Sequence, residues 1–351
     1  MSGRDRDPGA LSPRDAVERY LRRRQADATD ASVQSWKYRL KLWVEWVEGI
    51  GIERVDELRG YDFDDYYGLR SGRVAPATLQ NEMQTLRQFA EYLEQIDAVD
   101  DLADSVRIPD VDKDEISDDV SLEAADAVSL LAYYRPSDTA YGSRGHALVE
   151  LAWFSGARQG ALRALDLRDL YPDEQFADFR HRPGTGTPLK NKSDGERPVG
   201  IPGSVVDVLE EFVDEYRYDI VDDHGRAPLF ASMQGRPAKS TFRDWAYLAT
   251  VPCVHSPCPH DKSRETCDWT KYSHASKCPS SRSVHQIRSG SITWQLDAGL
   301  PPAVVAERVD SAVETIKKHY DVATPRERLE ERRRPFVDDL DFNDDDSDSD
   351  E

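Results

Sequence analysis

Long apolar runs are absent from this sequence of 351 residues. No stretch reaches the roughly 18 consecutive apolar residues that a membrane-spanning helix needs. The opening MSGRDRDPGA is too polar for a signal peptide. We therefore expect a soluble, cytoplasmic protein with no membrane partner, long enough for two domains with ordinary cores.

Motifs for nucleotide-driven or two-metal chemistry are also missing. The sequence contains no GxxxxGK[ST] phosphate loop and no cluster of carboxylates spaced to hold two Mg²⁺ ions. These absences argue against an ATP-driven enzyme and against a two-metal nuclease. Chemistry that stores bond energy in a covalent link to a side chain stays open.

Lysine is scarce, and acids outnumber cations by 67 to 46, which leaves a formal net charge of −21. This balance argues against a DNA-binding protein, which usually carries a basic surface. In molar salt, however, the screening length falls to about 3 Å and self-repulsion is muted. In that case the acidic composition is an adaptation to a salty solvent and does not indicate the type of binding partner. The alternative is an acidic protein of ordinary salt with no nucleic-acid role.

Cysteine is rare and confined to one segment, 253–278, which also contains three histidines and few apolar residues. Such a segment cannot fold by apolar burial alone, and a closed zinc site would supply the missing stability. The spacing C-x4-C-x8-C-x10-C is looser than that of well-known zinc modules, so reduced free thiols remain an alternative. We expect a structural, non-catalytic zinc ion that braces the loop before His285. The candidate ligands are Cys253, Cys258, Cys267 and Cys278, with His260 as the substitute.

Apolar residues recur at helical spacing through the first hundred residues. After a disordered start at 1–10, they predict a four-helix domain over 11–102. The predicted helices cover 12–27, 32–47, 61–69 and a long segment from Pro76. Three cations of the second helix are candidates for DNA contacts or simply form a solvated face; they are Lys37, Arg39 and Lys41.

A charged segment without periodicity, 103–120, predicts a linker to a second domain over 121–337. That domain alternates helical and strand-like patterns, which predicts a mainly α fold with a small β-sheet (α+β). The last 14 residues contain nine acids, so 338–351 is predicted to be a disordered tail. Helices are predicted at 121–134, 145–154, 205–216, 241–248 and from Arg158, and strand-like segments at 164–170, 176–181 and 188–201, the last with a hairpin turn at Ser193-Asp194-Gly195.

The segment from His285 to Tyr320 carries the parts needed to attack a phosphodiester. His285 and Arg288 are three residues apart, so both leave one face of a helix. Tyr320 lies on a turn with Lys317, Lys318 and His319. A base, a fixed cation and a phenol together favour nucleophilic attack by the tyrosine.

The order of motifs resembles the tyrosine recombinase (phage integrase) family, in particular its haloarchaeal integrase-like branch. The resemblance covers about residues 12–335 and is carried by SGARQGALRALDL, ERPVGIP, HQIRSGSITWQL and KKHYD. It implies a helical, SAM-like core-binding domain followed by a recombinase catalytic domain. It also implies site-specific recombination of double-stranded DNA by a homo-tetramer, without a catalytic cofactor.

The resemblance implies a role for each matching residue. Tyr320 is the nucleophile that forms a 3′-phosphotyrosyl link. Arg158 and Arg288 grip the non-bridging oxygens, and His285 takes or shares the tyrosine proton. A hairpin lysine protonates the leaving oxygen. Counting back from Arg197 selects Lys192, with Lys190 as the close rival.

Two positions depart from the family pattern. Asp310 stands where His or Trp is usual, and an acid there repels a phosphate unless an arginine such as Arg308 holds it. Ala161 replaces an acid that often follows the first arginine. A catalytically weak DNA-binding or regulatory protein therefore remains an alternative, as does a type IB topoisomerase-like enzyme. The amphipathic segment 326–337 fits docking on a neighbouring subunit or on its own domain.

Overall fold

The computed structural model describes residues 7–111 and 120–320, together with the isolated positions 326, 329, 334 and 337. The chain divides into two compact units, Met1–Asp119 and Val120–Glu351. The predicted tail at 338–351 and most of the amphipathic segment 326–337 lie outside the described residues. Across the described ranges, no helix combines the length and the apolar character needed to cross a membrane.

Four α-helices form the described part of the first unit, as their apolar stripes predict. Polar caps explain where two of them begin: the hydroxyls of Ser12 and Thr29 each accept a hydrogen bond from a first-turn N–H. Proline starts α1 and α4, where its missing N–H costs no hydrogen bond. The helices are α1 (Pro13–Arg24), α2 (Asp30–Gly49), α3 (Gly60–Arg70) and α4 (Pro76–Gln95).

Aromatic side chains fill the core of this unit. Trp43 stacks on Phe63 at 5.7 Å between ring centroids and meets Phe89 edge-on at 5.5 Å. Such pairs contribute about 0.5–1.5 kcal/mol each beyond their buried area. The largest fully buried side chains here are Leu40, Trp43, Phe63, Tyr66, Met83, Leu86, Phe89 and Leu93.

The edges of this unit differ from the sequence prediction. Residues Pro8–Ala10 form a 3-10 helix capped by Asp7, whereas disorder was expected through residue 10. Ala103 and Val106 pack into the helical core, so the start of the predicted linker belongs to this unit. Residues 112–119 lie outside the described part of the chain.

The second unit contains eight described helices and one three-stranded antiparallel sheet. The middle strand pairs with both others, with Leu170 opposite Ala177 and Phe179 opposite Arg197. The predicted mainly α fold with a small sheet is confirmed. The helices are α5 (Ala124–Tyr134), α6 (Arg144–Ser155), α7 (Gln159–Ala164), α8 (Gly203–Glu211), α9 (Lys239–Ala249), α10 (Val284–Asp297), α11 (Pro302–Val309) and α12 (Val313–His319). The strands are β1 (Leu170–Tyr171), β2 (Phe176–Phe179) and β3 (Arg197–Gly200).

Two predicted strands are much shorter than expected. Helix α7 extends to Ala164, and a 3-10 turn at Leu167–Asp169 leaves only Leu170–Tyr171 to pair. The Asp169 carboxylate accepts the Asp166 N–H at 2.9 Å, which holds this turn together. In the segment 188–201, a 3-10 helix at Lys192–Gly195 precedes the strand.

Helix α6 is the centre of the second unit, with nine of its twelve residues buried. Helix α10 packs beside it, and Gly290 makes room on both sides: a Cβ there would lie 3.2 Å from the Trp153 ring of α6 and 1.8 Å from the Leu122 carbonyl oxygen, in the segment before α5. A smaller apolar cluster joins α10, α11 and α12, and Tyr320 packs against it. The helix that carries His285 and Arg288 is therefore tied to the C-terminal segment by shared apolar burial. The buried members of this cluster are Ile292, Leu296, Val305, Ala306, Val309 and Ile316.

Candidate active site

A left-handed turn at Gly156 ends α6 and leads into the first arginine. Gly156 has φ 58° and ψ 19°, a conformation that glycine adopts without strain. A Cβ at this position would lie 2.8 Å from Cγ1 of Val309. The SGA motif therefore provides both the turn and the space that bring Arg158 next to the end of α11.

Arg158 points toward the loop after α11. Its Nη1 donates a hydrogen bond to Oδ2 of Asp310 at 2.6 Å, and a second one to the Asp310 main-chain oxygen. Asp166, which lies a short distance along the chain from Arg158, is not its partner in the described contacts. Asp166 instead forms ion pairs with Arg236 and Arg182.

Arg288 lies on α10 with 4% of its surface exposed. Its Nη1 donates to the main-chain oxygens of Gly156 at 2.8 Å and Val309 at 2.5 Å. Burial, reinforced by the neighbouring charge of Arg158, lowers the pKa of Arg288 to about 10. The Arg288 guanidinium stays cationic at neutral pH. The two main-chain oxygens orient it but, being uncharged, leave its positive charge uncompensated.

His285 lies one helical turn before Arg288. Burial lowers the pKa of His285, and the positive charges of Arg288, Lys190 and Arg158 lower it further. A neutral imidazole beside three cations suits a proton acceptor. The structure thus brings His285, both predicted arginines and one of the two candidate lysines to the same site.

The two lysine candidates are placed differently. Lys190 lies close enough to His285 to act on its pKa. Lys192 starts the 3-10 helix in a left-handed conformation, with φ 55°. Both side chains are exposed. Both flank Asn191, whose amide donates to Asp310, so the choice between them stays a prediction; the influence on His285 points to Lys190, which the count from Arg197 ranks second.

Tyr320 follows the last turn of α12, where its N–H donates to the Ile316 oxygen at 3.0 Å. Its half-buried side chain packs against the apolar cluster of α10–α12. The phenol lies near enough to Arg288 to influence the pKa of that guanidinium. The tyrosine therefore lies in the electrostatic neighbourhood of Arg288 of its own chain.

Sequence reasoning missed a third arginine of the site. Arg197, on β3, was used only to count back to a lysine, although its strand shows the strict buried–exposed alternation that indicates an inward side chain. Its Nε donates to the Arg308 oxygen at 2.7 Å, and its Nη1 to the Gly195 oxygen at 2.9 Å. Burial lowers the pKa of Arg197 to about 10. Its charge acts on Arg288 as well.

Asp310 lies inside the site rather than turned away from it. Its φ is 57°, in the left-handed region, and its side chain is 11% exposed. Arg308, the expected partner, bonds instead to the Phe154 oxygen at 2.8 Å and to Gln295 Oε1 at 3.0 Å. An arginine does hold the carboxylate, but it is Arg158 rather than Arg308.

Comparison with known proteins identifies the family. No protein-family model matches the chain, and no curated protein matches it either. Over 28% of its length the chain is 52% identical to the N-terminal domain of a phage integrase/site-specific recombinase from Haloarcula marismortui, and it covers 97% of that domain with a TM-score of 0.28. The chain belongs to the tyrosine recombinase (phage integrase) family.

More distant tyrosine recombinases with solved structures share the fold. The Tn1549 transposon integrase in complex with a circular intermediate DNA is 16% identical, with a TM-score of 0.67 and coverage of 94% of this chain and 100% of that one. Lambda integrase bound to DNA is 11% identical, with a TM-score of 0.56 and coverage of 95% and 100%. At these identities the likeness concerns the fold.

Three cations on α2 are the predicted DNA contacts of this recombinase. Lys37 is exposed. Arg39 donates to Thr85 Oγ1 at 3.1 Å, and Lys41 pairs with Glu45 at 3.6 Å. A second cationic surface, not predicted, surrounds a cleft of about 410 Å³ lined by Arg19, Arg22, Arg23, Tyr92 and Ile96.

The cysteine-rich segment is built mainly of 3-10 turns, and its four cysteines are free. Cys278 is buried and packs with Cys253 in a small apolar cluster. His260 contacts Ser280 Oγ at 3.0 Å through Nε2. Within the described ranges, no three His, Cys, Asp or Glu side chains converge closely enough to hold a metal ion. Cys253, Cys258 and Cys278 lie near one another, but the predicted ligands do not form a coordination shell in this conformation.

Proposed function

We propose that this chain is a site-specific DNA recombinase that breaks and rejoins strands through Tyr320. The observation that carries the proposal is the convergence of the Arg158 and Arg288 guanidinium groups on the main-chain oxygens of residues 309 and 310, with His285 and Tyr320 near enough to interact electrostatically with Arg288. This concentration of positive charge is unusual in a chain of net charge −21. A phosphodiester is the anion that a recombinase fold would bring there.

The reaction follows from the roles of the side chains. The phenol oxygen of Tyr320 attacks the phosphorus, its proton passes to His285, and the bond from phosphorus to the 5′-oxygen breaks. Lys190 gives a proton to that leaving oxygen. The products are a 3′-phosphotyrosyl link and a free 5′-hydroxyl, and the reverse steps rejoin the strand without ATP.

Arginine suits the clamp because its planar fork donates two hydrogen bonds to an oxyanion and keeps its charge. Arg288 and Arg197, with pKa values lowered to about 10, remain cationic under working conditions. Donors already oriented by carbonyl groups need little reorganisation in the transition state. Loss of one such donor typically lowers the rate by about 10²–10³.

Binding of DNA without cleavage is the main alternative, and the position of Tyr320 argues against it. A purely regulatory protein has no need for a phenol within electrostatic reach of a buried arginine. A topoisomerase-like activity would use the same residues on any duplex. Such an enzyme would cleave duplexes of any sequence, whereas the proposed recombinase cleaves at defined sites.

The remaining proposals concern partners and conditions. We propose that double-stranded DNA with defined sites is the substrate, that four chains assemble on it, and that the protein works in the cytoplasm. The acidic composition supports work in high salt. Lys37, Arg39 and Lys41 are proposed to contact the DNA backbone.

We also propose that the cysteine-rich segment binds structural zinc through Cys253, Cys258, Cys267 and Cys278, with His260 as the substitute ligand. The packing of Cys253 beside Cys278 supports this proposal. Closure of a tetrahedral site would require the intervening turns to move inward. Metal binding would then supply order to a segment with few apolar residues.

The experiment is a search for a covalent adduct. Duplexes retained by the protein from a random-sequence pool in high KCl would be resynthesised with a nick beside each candidate site. Such suicide substrates trap the tyrosyl intermediate, because the short leaving fragment diffuses away. We expect a denaturation-resistant adduct from the natural protein and none from Tyr320→Phe.

The matched control is Tyr216→Phe, which removes a hydroxyl from an exposed tyrosine of the same unit. It should form the adduct at the natural rate. Adduct formation by the Tyr320 variant would disprove the proposed nucleophile. Specific DNA retention without an adduct from any variant would favour the regulatory alternative.

A further inference from the structure

The C-terminus of α11 lies among the arginines of the proposed phosphate clamp. Arg197 donates to the oxygen of residue 308 at 2.7 Å, Arg288 to that of Val309 at 2.5 Å, and Arg158 to that of Asp310. Carbonyl groups at a helix end lack helical partners and carry the negative pole of the helix dipole. Three consecutive oxygens of one helix end therefore bind three cationic side chains.

The Asp310 carboxylate extends this anionic end into the site. Oδ2 accepts a hydrogen bond from Arg158 at 2.6 Å, and Oδ1 accepts one from the Asn191 amide at 2.7 Å. Gly195 closes the third side, since a Cβ there would come within 3.1 Å of Oδ2. Segments far apart in sequence thus form a fitted place for one small anionic group.

The charge balance shows why an anion occupies that place. Arg158, Arg197, Arg288 and Arg308 lie close to one another, and burial lowers the pKa of the last three. Among the described contacts of Arg158, the carboxylate of Asp310 is its only ion-pair partner. The carboxylate compensates part of a positive charge that would otherwise stand unbalanced in the interior.

We infer that the Asp310 carboxylate is an internal ligand of the anion site. In the free protein it occupies the Arg158 guanidinium, and it competes there with the incoming phosphate. That this phosphate belongs to DNA rests on the proposed function. DNA binding then requires an exchange, in which the carboxylate leaves Arg158 and the phosphate takes its hydrogen bonds. The free protein is held in a state that resists stray anions.

The exchange makes a prediction about anion affinity. A unit charge about 4 Å from a second anion repels it strongly in a partly buried site. Removal of the carboxylate charge should therefore tighten the binding of a phosphate group by roughly tenfold or more. The gain should depend on Arg158, since this residue is shared by the two anions.

The test measures the binding of inorganic phosphate to the full chain by ³¹P nuclear magnetic resonance at fixed KCl concentration. Asp310→Asn removes the charge and keeps the size of the side chain. Asp310→Gly removes the side chain and is compatible with the left-handed backbone. Both variants should bind phosphate at least about tenfold more tightly than the natural protein.

Two controls separate this effect from a general change of charge or stability. Glu307→Gln removes one negative charge from the exposed side of the same helix and should leave phosphate affinity unchanged. The double variant Asp310→Asn with Arg158→Gln should lose the gain. Thermal unfolding identifies any variant that binds differently because it is misfolded.

Affinities of both Asp310 variants within twofold of the natural protein would overturn the inference, as would a gain that persists without Arg158. The outcome does not depend on Tyr320. A gain in phosphate affinity with no covalent adduct would uphold the inference while the recombinase chemistry failed. A covalent adduct from the natural protein, together with the same phosphate affinity in the Asp310 variants as in the natural protein, would uphold the recombinase chemistry and overturn the inference.

Discussion

Substitution of Gly156 by alanine should damage the site through a single methyl group. The residue has φ 58°, where a side chain costs roughly 1–2 kcal/mol. The new Cβ would lie 2.8 Å from Val309 Cγ1, and such overpacking costs about 1–3 kcal/mol. The sum is a destabilisation of about 2–5 kcal/mol.

The same methyl should disturb the arginine clamp. Arg288 is oriented by the main-chain oxygens of Gly156 and Val309, the two residues that the clash pushes apart. Adduct formation should therefore fall even at temperatures where the variant is fully folded. Urea unfolding and suicide-substrate trapping, both at one fixed KCl concentration, measure the two effects separately.

Gly160→Ala is the matched control. No atom lies within 4 Å of a Cβ built at Gly160, which is inside α7. Alanine there should raise stability by up to about 1 kcal/mol and leave adduct formation unchanged. Equal stability and equal adduct yield for Gly156→Ala and the natural protein would refute the account of this turn.

Four further predictions follow from the site. Arg197→Lys should lower adduct formation by about tenfold or more, because an ammonium cannot reproduce two oriented donors, and trapping assays would show it. Lys190→Ala should slow cleavage more than Lys192→Ala does, because Lys190 is the proposed proton donor to the leaving oxygen. A substrate with a 5′-thio leaving group needs no such proton, so it should restore cleavage by the Lys190 variant. Because the pKa of His285 is lowered, adduct formation should persist below its ordinary value of about 6.5 and fall only at lower pH. Stability should also decline as pH falls from about 6.5 toward that lowered pKa, because the unfolded imidazole binds a proton first; a His285→Asn variant should lack this component in urea unfolding. Purified protein should contain about one zinc ion per chain, by elemental analysis, and Cys278→Ser should lose it; full metal content in that variant would contradict the zinc site.

Much of the helical architecture could be predicted because it depends on local spacing. The stripe containing Leu40, Trp43 and Val47 indicates a buried helix face without knowledge of what covers it. The caps at Ser12 and Thr29 are likewise local signals. Such features need only a few neighbouring residues, so a single sequence reveals them.

The strands were less predictable for a physical reason. β1 contains two residues and β2 and β3 four each, so an alternation pattern, where one is present, is too short to set the bounds of a strand. Their pairing depends on a partner distant in sequence. The turn predicted at Ser193-Asp194-Gly195 is present as a 3-10 helix at Lys192–Gly195, but the described residues directly before it form no strand to pair with β3.

In the site, the order of motifs identified the side chains that converge, but not what each one contacts. Asp310 and Arg158 are 152 positions apart, and they meet because α11 packs against α10 and β3 and its last residue, Val309, lies against Gly156. Arg197 carried a usable signal in its alternating strand, yet an arginine in a polar segment is usually a solvated residue. The partner of a charged group is a tertiary property that residue type alone does not specify.

The central claim is that Tyr320 forms the covalent bond to DNA. The most direct measurement is mass spectrometry of the peptide left attached to DNA after a trapped adduct is digested with protease and nuclease. The account predicts a nucleotide joined through a 3′-phosphate to the phenol oxygen of Tyr320. A link to any other side chain, or a link through a 5′-phosphate, would contradict it.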